Sequence, residues 1–296
     1  MQRLKHVQAT FAFQAAALIA AAVAIASPAK AQSPPSQASM LVCATMQPDA
    51  DTLGRRPLVH GYVVEIRRLG QVEYDCEAVL TDKTGREVYR AGGFGVRVDD
   101  ATGLDVDGDG VAELILYKDI GGGNHCCWSY DVISLKPPAH LLFEFEQSGA
   151  AEFRRGPRGQ VTLWSWEGGF MGPDGTMAGR IFAQRVYQYT AGRLAEVTPD
   201  FCTEIDADDS RAAPSPDPAA LRVFQATGRL NDTTYDVAGD IERLMVQHVF
   251  CRRFDAALAV AREMWPAADR GRFIASFRDM VTAAYKEYSA PLSSWR

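Results

Sequence analysis

The sequence predicts an α+β protein in which an antiparallel, β-rich body precedes a C-terminal α-helical cap. Two changes of pattern along the chain carry this expectation. Between about residues 41 and 199, apolar and β-branched residues come in short runs separated by turn formers, and their spacing suits an antiparallel meander rather than strands alternating with helices. Past a stretch rich in Pro and Asp, apolar residues recur every three or four positions, the period of helices buried on one face. The expected organisation is a signal peptide at 1–31, a flexible tether at 32–40, a β-rich domain at 41–206, a linker at 207–218 and an α-helical region at 219–296.

Met1 to Ala31 reads as a secretory signal. Arg3 and Lys5 form its charged end, Phe11 to Ala26 its Ala-rich apolar run, and Ala29-Lys30-Ala31 a small-x-small cleavage site before Gln32. The run is short for a membrane span of about 20 apolar residues, so a periplasmic or secreted protein without a lasting membrane anchor is expected. Cys43 lies too far beyond the run to accept a lipid. Cleavage would move the formal charge from −6 to −9 by removing Arg3, Lys5 and Lys30. An acidic chain with no Lys/Arg block is a poor partner for nucleic acid, whose binding depends on neutralising phosphates. Gln32 to Met40, rich in Pro, Ser, Gln and Ala, is the tether.

Strands are expected at Tyr62–Ile66, Cys76–Leu80 and Glu87–Tyr89, with Asp82-Lys83-Thr84-Gly85 as the hairpin turn between the last two. Further runs follow at Leu114–Leu116, Trp128–Leu135 and Leu141–Phe145, the last two separated by Pro137-Pro138.

The stretch around which these runs are organised is Gly103-Leu104-Asp105-Val106-Asp107-Gly108-Asp109-Gly110-Val111-Ala112-Glu113. Asp105, Asp107 and Asp109 stand at the first, third and fifth places of a short loop, Gly110 at the sixth and Glu113 at the ninth. A calcium ion takes six to eight oxygens at about 2.3–2.6 Å. Alternate carboxylates aimed inward by a glycine turn, with the carbonyl of Val111, supply that chemistry. The metal ligands expected are therefore Asp105, Asp107, Asp109, Val111 and Glu113, and the ion Ca2+. Leu116 occupies the place where an EF-hand carries its closing Glu, and the apolar run after the loop reads as a buried strand rather than a helix. An ion-free turn of Asp and Gly is the competing reading, and the mutual repulsion of four carboxylates argues against it.

Strand after loop, with Asp-x-Asp-Gly-Asp-Gly-x-x-Glu-Leu, resembles the calcium loops of FG-GAP/VCBS-type propeller blades. Gly121-Gly122-Gly123-Asn124-His125-Cys126-Cys127-Trp128 is similar to the Gly-Gly-x-His-Cys-Cys segment that follows such a loop in a group of secreted bacterial proteins. The resemblance spans roughly residues 86–135. It implies a propeller-like arrangement of the body. A weak internal repeat agrees: setting Gly159 on Gly110 puts Leu163 on Leu114, while Arg154, Gly156, Arg158 and Thr162 replace the carboxylates. Residues 141–199 would then be a second blade without calcium, ending in Arg185–Tyr189 and the turn Ala191-Gly192-Arg193. Two or three blades are too few for an ordinary closed ring.

All six cysteines, Cys43, Cys76, Cys126, Cys127, Cys202 and Cys251, lie beyond the signal, and an even count in an exported chain favours disulfides. The preferred pairing joins Cys43 to Cys76 and Cys202 to Cys251, leaving Cys126 and Cys127 to bond each other or stay reduced. An alternative links one of the vicinal pair to Cys43 or Cys76. His125 beside these cysteines contains the residue types of a thiol nucleophile and its base, but neighbours on a strand point to opposite faces, so no catalytic residue is assigned.

Beyond the linker, Ile241, Leu244, Met245 and His248 share a helical face, as do Phe254, Ala257, Leu258, Ala261 and Trp265, then Phe273, Phe277, Met280, Val281 and Ala284. Arg252-Arg253 would turn a helical hairpin spanning Ile241–Met264, Pro266 would end it, and a further helix is expected at Phe273–Tyr288. The functional expectation is an exported calcium-binding protein acting as a binding or envelope-associated interaction module, with a protein or glycan of the cell envelope as partner. The alternative is an envelope glycan or peptide hydrolase using Glu167 or Asp174 beside the Trp164/Trp166 loop, since glycoside cleavage uses two carboxylates at an aromatic sugar site.

Overall fold

The computed structural model of the protein describes residues 41–44, 49, 51–70, 75–121, 128–147, 150–156, 159–170, 181–208, 213–231 and 234–295. The signal, the tether, His125, Cys126, Cys127, Arg158 and Asp174 lie outside them. Within this set the chain is α+β, with three antiparallel sheets and six α-helices.

In chain order the strands are β1 (Val42–Ala44), β2 (Gly54–Pro57), β3 (Val63–Arg68), β4 (Cys76–Thr81), β5 (Glu87–Gly93), β6 (Gly95–Val98), β7 (Glu113–Asp119), β8 (Trp128–Ser134), β9 (His140–Gln147), β10 (Ala151–Arg155), β11 (Val161–Phe170), β12 (Ile181–Thr190) and β13 (Arg193–Glu196). The first sheet runs β2-β3-β4-β5 and the second β6-β7-β8-β9, with β1 added at the β6 edge. The third runs β10-β11-β12-β13. Each is a consecutive four-stranded meander, the arrangement that local turn chemistry favours. In the β4–β5 turn, Asp82 accepts the Thr84 and Arg86 N–H groups at 2.9 and 3.1 Å.

The second sheet is buried on both faces, which is why β7 is an apolar run rather than an alternating one. Leu114 and Leu116 join Val64, Ile66, Ala78 and Leu80 in a core shared with the first sheet. Ile115, pointing the other way, joins Val132, Phe145 and Leu163 in a core shared with the third. The outer face of the first sheet is a lattice of ion pairs instead. Arg67 and Arg90 both engage Glu77, Arg90 also reaches Glu87, and Arg55 stands 3.6 Å from Glu65.

Leu141–Phe145, expected to open a second blade, instead closes the second sheet as β9, paired with β8 through Val132↔Phe143 and Tyr130↔Phe145. The third sheet starts at Ala151. The Gly159 and Gly110 equivalence still has a topological counterpart. Each glycine, at φ of 85° and 87°, lies between the first and second strands of a four-stranded meander.

The helices are α1 (Cys202–Ala207), α2 (Pro218–Thr227), α3 (Tyr235–Phe250), α4 (Phe254–Met264), α5 (Arg270–Ala284) and α6 (Ser289–Leu292). The expected hairpin is α3–α4, turned at Arg252, whose φ is 55°. Helix α2 was hidden behind the Pro-rich stretch, whose last residues start it. Asp217 accepts the Ala220 N–H at 2.7 Å as N-cap, Pro218 takes the first helical position, and left-handed Gly228 ends the helix. Helix α3 is nearly enclosed: Ile241, Met245, Val249 and Phe250 pack with Ile181 and Ala183 of β12 and with Ala257, Ala261 and Phe277. Beyond β13 the open edge of β12 needs partners for its backbone. The Gln247 side-chain amide supplies them as a neighbouring strand would, accepting the Gln184 N–H at 2.9 Å and donating to its carbonyl at 3.2 Å.

Among the described residues two disulfides close this architecture. Cys43–Cys76 ties β1 to β4, hence the second sheet to the first, and Cys202–Cys251 ties α1 to the end of α3. Residues 39–296 form one compact unit. Among the described residues no helix is long and apolar enough to cross a membrane.

Candidate metal centre

The Asp-rich loop hangs from the edge of the second sheet on a short backbone neck. The Gly103 N–H donates to the Glu113 carbonyl and the Glu113 N–H to the Leu104 carbonyl, both at 2.9 Å. Beneath the neck, the Thr102 hydroxyl donates to the Ile115 carbonyl at 3.1 Å and accepts the Ile115 N–H at 3.0 Å. Apolar side chains root the loop in both cores. Leu104 and Val106 enter the core shared with the third sheet, and Val111 packs against the core shared with the first.

Inside the loop each Asp spends one oxygen on the backbone. Asp105 Oδ2 accepts the Gly110 N–H at 3.0 Å, Asp107 Oδ1 the Asp109 N–H at 3.0 Å, and Asp109 Oδ1 the Val111 N–H at 2.8 Å. Gly108 and Gly110, at φ of 77° and 87°, provide left-handed turns that a side chain would strain. The outcome is that one oxygen from each of Asp105, Asp107 and Asp109 lies within 4.8 Å of the others.

Glu113 opens β7 and is fully buried. It stands outside that mutual spacing, with Oε2 accepting the Val106 N–H. Its other oxygen, Oε1, is buried without a hydrogen-bond partner, as is Asp105 Oδ1. Burial, opposed by the Val106 N–H and reinforced by the charges of Asp107, Asp105 and Asp109, pushes the Glu113 carboxyl up to about 8. Burial also raises Asp107, whereas the Val111 N–H and the Lys136 ammonium hold Asp109 below the usual range. Lys136 Nζ lies 3.1 Å from Asp109 Oδ2. Val111 is half-buried at the rim, and its N–H is the group tied to the loop.

These residues fit a hard cation. All side-chain donors are oxygens, two of them are buried and unsatisfied, and among the described residues the loop carboxylates have one ion pair, that of Asp109 with Lys136. Leaving a buried acceptor unpaired costs roughly 1–3 kcal/mol, a cost an ion bound there would relieve.

The residues considered for hydrolysis sit elsewhere. Trp164 is a core residue, its indole N–H donating to the Thr162 hydroxyl at 2.9 Å and its ring edge-on to Phe201. Glu167 accepts hydrogen bonds from Tyr187 at 3.0 Å and Tyr285 at 3.4 Å. Asp174, the alternative carboxylate, lies outside the described residues.

Two charged clusters went unrecognised in the sequence. Between the first and second sheets, Lys118 lies 2.8 Å from buried Asp131 and 2.6 Å from Glu144, and the Tyr89 hydroxyl donates to Asp131 at 2.8 Å. Where the third sheet meets the helices, buried Arg185 reaches Glu196 at 2.8 Å and Glu287 at 3.1 Å, and lies over Tyr285, Phe250 and Tyr187 at 4.6, 5.1 and 5.2 Å. The available signal was a charged residue inside an otherwise apolar strand. Comparison with protein-family models, with curated proteins and with solved structures returned no match.

Proposed function

We propose that the protein is an exported calcium-binding interaction module of the cell envelope, whose β-rich body is stabilised by one Ca2+ held by Asp105, Asp107, Asp109, Glu113 and the Val111 carbonyl. The observation that carries the reading is the fully buried Glu113 Oε1, unpartnered beside three gathered aspartates. A calcium ion would complete the hydrogen-bond-deficient oxygens and offset both the burial and the mutual repulsion that raise Glu113 and Asp107. The body is read as an open, propeller-like stack of blade-type meanders. Its charged outer face and its helical cap support an open stack, because neither end offers an apolar sheet face to close a ring. The partner is a protein or glycan of the envelope, and no catalytic role is assigned.

The test is calorimetry of the full chain in calcium and in chelator. Extracellular-type sites bind with dissociation constants of about 10⁻⁴–10⁻³ M and tighter loops approach about 10⁻⁵ M. At about millimolar calcium the folded state should then gain about 0.4 to 2.7 kcal/mol. Absence of any calcium-dependent stabilisation would return the loop to an Asp-rich turn. Calcium-dependent capture of an envelope component by the full chain, lost in the Asp107→Ala variant, would support the interaction role.

A further inference from the structure

Lys136 approaches the calcium loop from a different hairpin, and its position there follows from strand register. Glu113, the first residue of β7, pairs with Ser134, the last residue of β8, so the turn leaving β8 passes beside the neck of the loop. The root of Lys136 is held on both sides. Its N–H donates to the Ser134 hydroxyl at 3.3 Å, Leu135 is buried in the core shared with the first sheet, and the Ala139 N–H donates to the Tyr62 hydroxyl at 3.0 Å. From that fixed root the side chain, 59% exposed, extends over the loop and sets Nζ 3.1 Å from Asp109 Oδ2.

We infer that Lys136 is the resident cation of this loop: its ammonium neutralises Asp109 in the ion-free protein, and calcium enters by displacing it. The inference rests on the calcium reading above and adds the means by which the affinity is set. Asp109 Oδ1 is already committed to the Val111 N–H, so Oδ2 is the oxygen it can offer a metal without opening the loop, and Oδ2 is the atom Lys136 engages. A divalent ion about 2.3–2.6 Å from that oxygen would repel an ammonium that close. The lysine has a four-carbon stem and an exposed end, and an exposed ion pair is easily given up to water. The ion-free loop therefore carries an internal counter-ion at Asp109, and calcium must compete with it.

Calcium titration calorimetry on the full chain tests this, with the wild type, Lys136→Gln, Lys136→Arg and Lys286→Gln, the last removing a remote lysine. Removing the competing charge should tighten calcium binding about three- to tenfold in Lys136→Gln. Lys136→Arg and Lys286→Gln should stay within about twofold of wild type, because one keeps the charge and the other lies far from the loop. In the wild type, acetylation of Lys136 by an amine-reactive reagent, followed by mass spectrometry, should rise when calcium is added. That measurement also stands if Lys136→Gln fails to fold. A wild type that binds calcium while Lys136→Gln binds equally or more weakly, or while Lys136 labelling does not change, overturns the exchange and leaves the calcium site standing. A wild type that binds no calcium overturns both.

Discussion

The Asp-rich loop and the Arg185 cluster each bury one charged group, Glu113 and Arg185, in opposite situations. Around Arg185 the charges are answered from within. Its guanidinium joins Glu196 and Glu287, Tyr288 donates to Glu196 at 3.1 Å, and aromatic rings lie over the guanidinium, whose Nε is buried without a hydrogen-bond partner. In the loop, among the described residues, four carboxylates meet one exposed ammonium, and two of their buried oxygens have no hydrogen-bond partner. The first arrangement joins the third sheet to the helices; the second is where we propose a cation from outside. Glu242 on α3 is a third case, buried at 7% exposure and pushed up to about 8 by burial alone. A buried ionisable group can thus be paired, offered to a metal or kept neutral by a proton, and Arg185, Glu113 and Glu242 are candidates for the three.

The largest effect expected is at the paired site. Arg185→Ala would leave Glu196 uncompensated between the third sheet and the helices, and breaking such a pair from one side costs about 3–5 kcal/mol. Denaturant unfolding should show this loss with calcium affinity unchanged. A loss below about 1 kcal/mol would mean the cluster is no lock. Opening Cys202–Cys251 with Cys251→Ser tests the same junction by covalent means. A cost of about 2–5 kcal/mol is expected, and hydrogen exchange should rise first in α1 and at the end of α3.

The protonated case has a definite sign. The folded pKa of Glu242, about 8, lies above its ordinary value of 4.5, so the folded state holds the proton more tightly. That contribution to stability is fully present below about pH 4.5 and is lost progressively up to about pH 8. Glu242→Gln removes the slope. It should match the wild type near pH 4 and be more stable by roughly 1–3 kcal/mol near pH 8. Equal pH dependence of the two proteins by thermal unfolding would show that Glu242 is ionised in the fold. The smallest effect belongs to the metal case. Asp107→Ala should abolish most of the calcium-dependent gain of about 0.4 to 2.7 kcal/mol, read as the difference in melting between calcium and chelator, and should leave the cost of Arg185→Ala intact.

Local patterns decided much of this protein. The alternation of short apolar runs with turn residues was sufficient for most strands, the three-to-four-residue period for α3, α4 and α5, and the Asp-x-Asp-Gly-Asp-Gly spacing for the gathered aspartates, because each depends on residues adjacent in the chain. The even cysteine count and their grouping matched Cys43–Cys76 and Cys202–Cys251 as formed. Tertiary structure alone decided the rest. Leu141–Phe145 completes the second sheet because its register with β8 buries Phe145 against the third, and a strand run by itself does not say which neighbour it will join. Lys136 stands over Asp109 through the pairing of Glu113 with Ser134. Arg185 finds Glu287, and Gln184 finds Gln247, across more than sixty residues of chain. Backbone propensity and hydrophobic period act over one or two turns, whereas the neutralisation of a buried charge depends on whichever group the finished packing brings within reach.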